Sequence, residues 1–396
     1  MNLLHPSTEE DVAHIICKAS DSDKRVRIVG GGSRQGFGQP FQASYTLTTR
    51  QLQGVKHYEP GALTLIAGAG SSLREIEEVL SEEKQQLTFE PIDLRALLGN
   101  SDAEPTLGGV VASGAAGPRR IQAGGARDSL IGVRFVNGRG ECASAGGRVM
   151  KNVTGYDLCK LMAGAHGSLG VLTELAFKVG PKPEAVACVL IHGGGDTAAV
   201  QAMSAALCSP YGVSGAAHLP AMLTRDGDRA VTMIRVEGFA QSVAYRARKL
   251  QAVLRKFGDV QIIDDQAAVA KGWRDVRDVL PFADREAAVW RISVKPSDGP
   301  KVVARIAQDL DVAAYYDWGG GLVWLATPDI PFMNAGAGVI RKATASVGGR
   351  ATLVRAQEDT RRNMAVFPPE DAIRARLSES IRRAFDPNGL FSHPAA

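Results

Sequence analysis

At 396 residues the chain is too long for one ordinary core and calls for roughly two or three domains. Its composition, 45% hydrophobic and 22% charged, is that of a soluble globular protein. A formal charge of +4 with scattered basic residues makes no case for nucleic acid, while an acidic partner or a cytoplasmic membrane surface stays open.

Five cysteines, Cys17, Cys142, Cys159, Cys188 and Cys208, are odd in number, widely spaced and form no C-x-x-C pair. That pattern suits reduced cytosolic thiols and does not fit a disulfide framework, a structural zinc site or iron–sulfur ligation. The opening stretch MNLLHPSTEEDV has no basic leader, and no apolar run approaches the ~18 residues of a membrane span. A cytoplasmic protein is expected.

In chain order, Ser7 and Glu10 form a capping box before Val12, Ile15, Ile16 and Ala19, which recur at helical spacing. The β-type run Val26–Val29 then stops at Gly30, Gly31 and Gly32 and continues through Ser33, Arg34, Gly36 and Gly38. Glycines without a Cβ reach positive φ, so adjacent amides can converge into a nest for phosphate oxygens; a flexible surface turn is the other reading. A second β-then-α unit follows, with Leu63 to Ala67 as strand, Gly68 and Gly70 turning the chain, and Ser72 with Glu75 capping a helix. Neither AGAGSSL nor VGGGSRQG completes a dinucleotide fingerprint, because Leu73 and Gln35 stand where its third glycine belongs. A doubly wound parallel sheet is therefore not expected.

Residues 105–117, PTLGGVVASGAAG, are almost all small. Such a run buries little area but lets backbone approach a flat ligand closely, or allows a tight backbone crossing between layers. Leu130 to Val136 alternates, and Asn137-Gly138 closes a hairpin with a return strand at 141–145. KNVTGYDLCKLMAG reads as a loop and short helix, and Val171 to Val179 as a strand ended by Pro181 and Pro183. From 185 to about 350, strands and helices alternate in two similar halves, helices on one face of an antiparallel sheet. A terminal helix with Ile373, Leu377, Ile381 and Ala384 on one side leads into FDPNGLFSHP.

VGGGSRQGFG, PTLGGVVASGAAG, ARDSLIGVRFVNGRGE and RVMKNVTGYDLCKLMAGAHGSLGVLTELAFKVGPKP occur in the order seen in the FAD-binding domain of the vanillyl-alcohol oxidase and p-cresol methylhydroxylase superfamily. Within it, ATLVRA and FDPNGLFSHP make the chain resemble the E-type FAD-binding subunits of bacterial glycolate oxidase. The resemblance implies an α+β fold, with a two-part FAD-binding domain of the p-cresol methylhydroxylase type at 1–182. An α+β cap domain with an antiparallel sheet follows at 183–350, and a C-terminal segment, 351–396, returns to the first domain. It further implies that Gly30, Gly31, Gly32, Ser33, Arg34 and Gly36 cradle the FAD pyrophosphate. Thr106, Gly108, Gly109, Ser113, Gly114 and Gly117 would lie along pyrophosphate and isoalloxazine, Arg127 and Asp128 form a polar pair before the hairpin, and Gly167, Ser168, Gly170, Val171 and Leu172 hold the adenosine end.

Ser33 stands where covalent relatives often carry a histidine, so FAD is expected to be non-covalent. His166 replaces a commonly apolar or acidic residue and is read as a packing or hydrogen-bonding group. The cap offers only His192 and His218, with His393 near the terminus, so no metal set is expected. Arg291, Ser293 and Lys295 alternate with apolar residues and should share one face of a cap strand; Arg291 and Lys295 are candidates to hold substrate, against a solvated or interface role. Without iron–sulfur ligands, the resemblance implies a larger FAD-containing subunit and an iron–sulfur subunit as partners in oxidising glycolate, a small 2-hydroxy acid, to glyoxylate. A stand-alone dehydrogenase and a redox-silent assembly subunit are the alternatives.

Overall fold

The computed structural model describes residues 2–147, 155–224, 227–329 and 331–391. The 148–154 part of the fourth motif and His393 lie outside the described residues.

The first body has two parts. β1 (Asn2–Leu4), β2 (Val26–Val29) and β3 (Tyr45–Thr48) make a parallel sheet in the order β1-β3-β2. Against it packs helix Glu9–Asp21, which buries Val12, Ile16 and Ala19 with Val26 and Leu47. The capping box is one residue later than the spacing indicates: Thr8 accepts from Asp11 N, and the Asp11 carboxylate accepts from Thr8 N. Asp11 wins because it also accepts from Ser7, leaving Ser7 no cap to make.

The second part is an antiparallel sheet of β4 (Val55–Glu59), β5 (Thr64–Gly68), β7 (Leu130–Val136), β8 (Cys142–Gly146) and β9 (Val171–Pro181) in the order β4-β5-β9-β7-β8, with β6 (Gln85–Leu87) also on β9. Asn137 sets the hairpin, its side-chain oxygen accepting from Arg139 N and Glu141 N. Gly68 and Gly70 serve close approach rather than a left-handed turn: a Cβ on them would lie 2.2 Å from the Leu52 carbonyl and 2.0 Å from that of Thr49.

The cap consists of two β-α-β-β-α-β halves. The first runs β10 (Ala185–His192), helix Asp196–Leu207, β11 (Val213–Leu219), β12 (Val231–Gly238), helix Ala240–Leu254 and β13 (Asp259–Ile263). The second runs β14 (Ala288–Ser293), helix Gly299–Ile306, β15 (Ala313–Asp317), β16 (Leu322–Thr327), helix Ala337–Ala345 and β17 (Arg350–Arg355). They join edge to edge, His218 opposite Tyr316, into one antiparallel sheet ordered β13-β10-β12-β11-β15-β16-β14-β17. The mirrored order shows the internal repeat that residue identities conceal.

The four helices of the halves cover one face, over Val189, Ile234, Trp290 and Leu325. The other face carries an additional helix, Gln266–Arg277, and takes Ile92, Leu94 and Leu97 from the first body against Tyr315 and Trp324. Cap and first body therefore share a continuous apolar seam.

β17 pairs with β14, so the cap sheet runs on to Arg355, past the boundary expected at 350. After it the chain returns to the first body: Phe385 packs on Phe135, Asp386 accepts from Leu390 N and Phe391 N, and Val26 donates to the Leu390 carbonyl. Helix Ala372–Phe385 is held mainly at this end, which leaves Ile373 75% and Leu377 59% exposed.

Candidate functional site

β2 ends at Val29 and the chain turns without entering a helix. The glycines here answer two different demands. Gly32, Gly36 and Gly38 adopt φ of +83°, +89° and +90°, as a nest requires, but Gly30 and Gly31 do not. Those two are bare because the second motif and the residue before it press on them: a Cβ would lie 2.2 Å from Thr106 Oγ1 at Gly30 and 1.6 Å from the Glu104 carbonyl at Gly31.

The small-residue run folds into a helix, Leu107–Ser113, rather than extending. Thr106 caps it by accepting from Gly109 N, and Leu107, Val110 and Val111 supply the apolar side. Gly108 N donates to the Ala69 carbonyl at 2.7 Å, Ser113 bonds back to its own turn, and left-handed Gly114 ends the helix against Gly164. From the fourth motif, Gly164 N and His166 N donate to the carbonyls of Val111 and Ala112 at 2.9 and 2.8 Å, while Gly167 packs beside Ile28 of β2. Three stretches more than 130 residues apart at their extremes thus close on one another.

Arg34 ties them. Its Nε donates to the Gly109 carbonyl and one Nη to that of Ile92, both at 3.2 Å, while its other terminal nitrogen, Nη1, is buried with no partner. Burial pushes this guanidinium down to about 10, so it remains a cation at neutral pH. A buried, unsatisfied charged donor is costly unless a ligand completes it, and an oxygen of an anionic group is the acceptor that fits. The residues therefore fit a phosphate-bearing cofactor.

Beside the fourth motif lies a cavity of about 410 Å³ lined by Gly164, His166, Ser168, Leu169, Phe367 and Arg382. A second, of about 270 Å³, shares Ser168 and Arg382. His166 sits between the Phe37 and Phe367 rings, at 5.6 and 5.0 Å, and burial with nearby Arg34 pushes it down to about 4. It is neutral and packs, as its sequence context indicates. Gly170 approaches the Val136 carbonyl, and Val171 and Leu172 turn their side chains into the core. Ser33 is buried in the first loop, and Ser168 donates to the Ala165 carbonyl.

Arg127 and Asp128 are engaged elsewhere. Arg127 Nε donates to the Lys160 carbonyl, and Asp128 accepts from Gly125 N at the start of its own short helix. Nor do Arg291 and Lys295 share a strand face: β14 ends at Ser293, leaving Lys295 exposed in the next turn, while Arg291 faces the first body.

At that seam lies a buried ionic cluster invisible in the sequence. Arg235, only 4% exposed, makes a two-pronged contact with Glu90 at 3.1 Å on both oxygens and stacks on Trp273 at 4.7 Å. Arg119 binds Glu237 at 2.7 Å, and its backbone N donates to Glu90. Trp318 Nε1 donates to the Gly117 carbonyl, so the cap clamps the end of the second glycine motif directly. The partners stand 145 residues apart in one pair and 201 in another, beyond any local pattern.

Burial works to raise Glu90, but Arg235 and Arg119 outweigh it and hold the carboxyl at about 2, below its ordinary 4.5. The stabilisation is full above the ordinary value and is lost as pH falls through the folded one; it amounts to on the order of 3 kcal/mol. We expect the stability gap between the native chain and Glu90→Gln, followed by urea unfolding, to narrow steadily from pH 4.5 towards 2. A gap independent of pH would contradict the assignment.

Among the described residues no group of three or more His, Cys, Asp and Glu is placed to hold a metal, and no helix is long and apolar enough to cross a membrane. His218 instead lies buried on Thr232, with Asp196 at 3.6 Å.

Fold and cradle define a two-part protein built to hold a phosphate-bearing cofactor, and its relatives identify that cofactor as FAD. An FAD binding domain family model matches residues 2–146. The chain is 33% identical over 94% of its length to glycolate oxidase subunit GlcE of Escherichia coli strain K12, spanning 92% of that protein. It is 25% identical to glycolate oxidase subunit GlcD of Bacillus subtilis strain 168, over 80% of this chain and 68% of that one. Among solved structures, an alkyldihydroxyacetonephosphate synthase superposes with a TM-score of 0.70 at 16% identity, over 98% of this chain and 76% of that one, which shows the fold. The chain belongs to the FAD-binding glycolate oxidase subunit family, within the p-cresol methylhydroxylase type of FAD-dependent oxidoreductases.

Proposed function

We propose that this chain is an FAD-carrying subunit of a glycolate oxidase complex, holding its cofactor without a covalent bond. The observation that carries the reading is the closure of three glycine motifs around the unpaired Arg34 Nη1. Backbone amides of Gly30 to Gly36 and the Arg34 guanidinium would take the pyrophosphate, and the segment Thr106 to Gly117 would lie along the pyrophosphate and the ring system. The Gly167 to Leu172 segment and its cavity would receive the adenosine end. Ser33, in the first loop, offers no histidine for a flavin bond. When bound, FAD supplies acceptance of the two electrons lost as glycolate becomes glyoxylate.

The residues of the chain bind, orient and exclude water. Seam residues Arg235, Glu90 and Trp318 fix the cap over Gly117. A partner role follows from the names of the matched relatives, both described as subunits. We assign the partners as a larger FAD-containing subunit and an iron–sulfur subunit, because the five free cysteines of this chain offer no cluster ligation. Those free thiols also support a cytoplasmic location, with attachment to the inner membrane face, where present, made through the complex.

Anaerobic titration with glycolate tests the proposal. Flavin absorbance near 450 nm should bleach when the chain is combined with its partner subunits and change little in the chain alone. Full bleaching of the isolated chain would assign it the stand-alone activity, and no bleaching in the reconstituted complex would overturn the reading.

A further inference from the structure

Two arginines at the cap seam have no carboxylate of their own. Arg291, on β14, and Arg120, just after the second glycine motif, both lie over the Trp318 ring, at 5.2 and 4.8 Å from its centroid. Among the described residues neither guanidinium makes a hydrogen bond or an ion pair, and Arg291 Nε is buried without a partner. The neighbouring charges are already committed: Glu90 to Arg235, Glu237 to Arg119. What remains is an excess of positive charge on one indole, at an opening where Arg120 is exposed and Arg291 and Trp318 are partly so.

Trp318 is held there deliberately. It adopts a left-handed φ of +52°, unfavourable for a tryptophan, and is fixed by Nε1–H to the Gly117 carbonyl at 3.1 Å and by N–H to Asp317 at 2.7 Å. Stacking offsets part of the cost of the two cations but satisfies none of their N–H groups. An indole face beside planar N–H forks matches a small organic acid, whose carboxylate takes the fork while its carbon skeleton rests on the ring.

We infer that Arg120, Trp318 and Arg291 form a subsite for the carboxylate of a small organic acid at the seam between cap and second glycine motif. The choice of a hydroxy or keto acid as occupant rests on the function proposed above; the anion subsite itself rests on the cluster. Asp317, whose charge acts on Arg291, gives such a ligand reduced opposition: burial, with Glu90 nearby, pushes it up to about 7, so only part of it is ionised at neutral pH.

Trp318 reports directly. The purified full chain, with its FAD content measured, is titrated with oxalate and with glycolate while tryptophan emission is followed, sulfate serving as the inorganic control. The native chain should show saturable quenching by the carboxylates, weakened about tenfold or more in Arg291→Met and in Arg120→Met, with Arg291→Lys intermediate because a lysine keeps charge but loses the fork. Trp318→Phe should lose the optical signal while calorimetry still detects binding. No saturable response in the native chain, binding as tight as native in both methionine variants, or sulfate binding as tightly as oxalate would overturn the inference. Because FAD content is read separately, a native chain without FAD condemns the cofactor cradle, whereas a native chain with full FAD content and no quenching condemns the subsite.

Discussion

A chain carrying Gly31→Val should purify without flavin. A Cβ at position 31 falls 1.6 Å from the Glu104 carbonyl, and the backbone there cannot yield without opening the Glu104 N–H to Gly31 carbonyl contact that seats the second motif on the first. Branching at Cβ adds a second steric demand, so the loop and Thr106 must separate and the amides lose their common centre. Gly36→Ala is the graded control. Nothing lies within 4 Å of its Cβ position, so the substitution meets only left-handed strain of about 1 kcal/mol and should weaken FAD binding by roughly tenfold or less. FAD quantitation after gel filtration, with far-ultraviolet circular dichroism to confirm folding, decides it. Full FAD occupancy in Gly31→Val would refute the cradle.

Arg235→Met should have the largest effect on stability. It strips Glu90 of its two-pronged partner while leaving the carboxylate in the seam, and breaking a buried pair from one side costs about 3–5 kcal/mol. Glu90→Gln in the same chain removes the stranded charge and should return part of that loss, giving a coupling well outside additivity. Thermal or urea unfolding of the single and double variants measures it. Strict additivity would mean that the two side chains do not act as a pair in solution.

The cofactor-binding half of this architecture was legible because its signals are local. Three glycines after a β run, a small-residue stretch and a glycine-flanked turn before β9 each mark backbone that must come close to something, and the structure brings all three together. What each glycine is for was not legible. Gly31 and Gly70 look alike in a string, yet neither is a left-handed position; both make room for a carbonyl that arrives from another segment. The small-residue run concealed a helix because Leu107, Val110 and Val111 are its only sizeable side chains.

Helix Gln266–Arg277 was within reach, since Asp265 caps it and Val269, Trp273 and Val276 recur at helical spacing. It is easily passed over because it interrupts the repeat of the cap and lies on the opposite face of its sheet. The seam was beyond reach in principle. Glu90, Arg235, Arg119 and Trp318 are ordinary residues in their local contexts, and only the long-range pairing of β11, β12 and β15 assembles them. Alternation along β14 marks Arg291, but alternation does not show that the strand stops before Lys295 or that an indole from another turn receives the guanidinium.

The central claim is that the closed glycine motifs hold FAD without a covalent bond, and acid precipitation of the purified chain tests it most directly. Retention of a full equivalent of FAD by the native chain, all of it released to the supernatant on precipitation, is the predicted result. A pure, folded chain that stays colourless after incubation with FAD, or one whose flavin remains with the pellet, would contradict it.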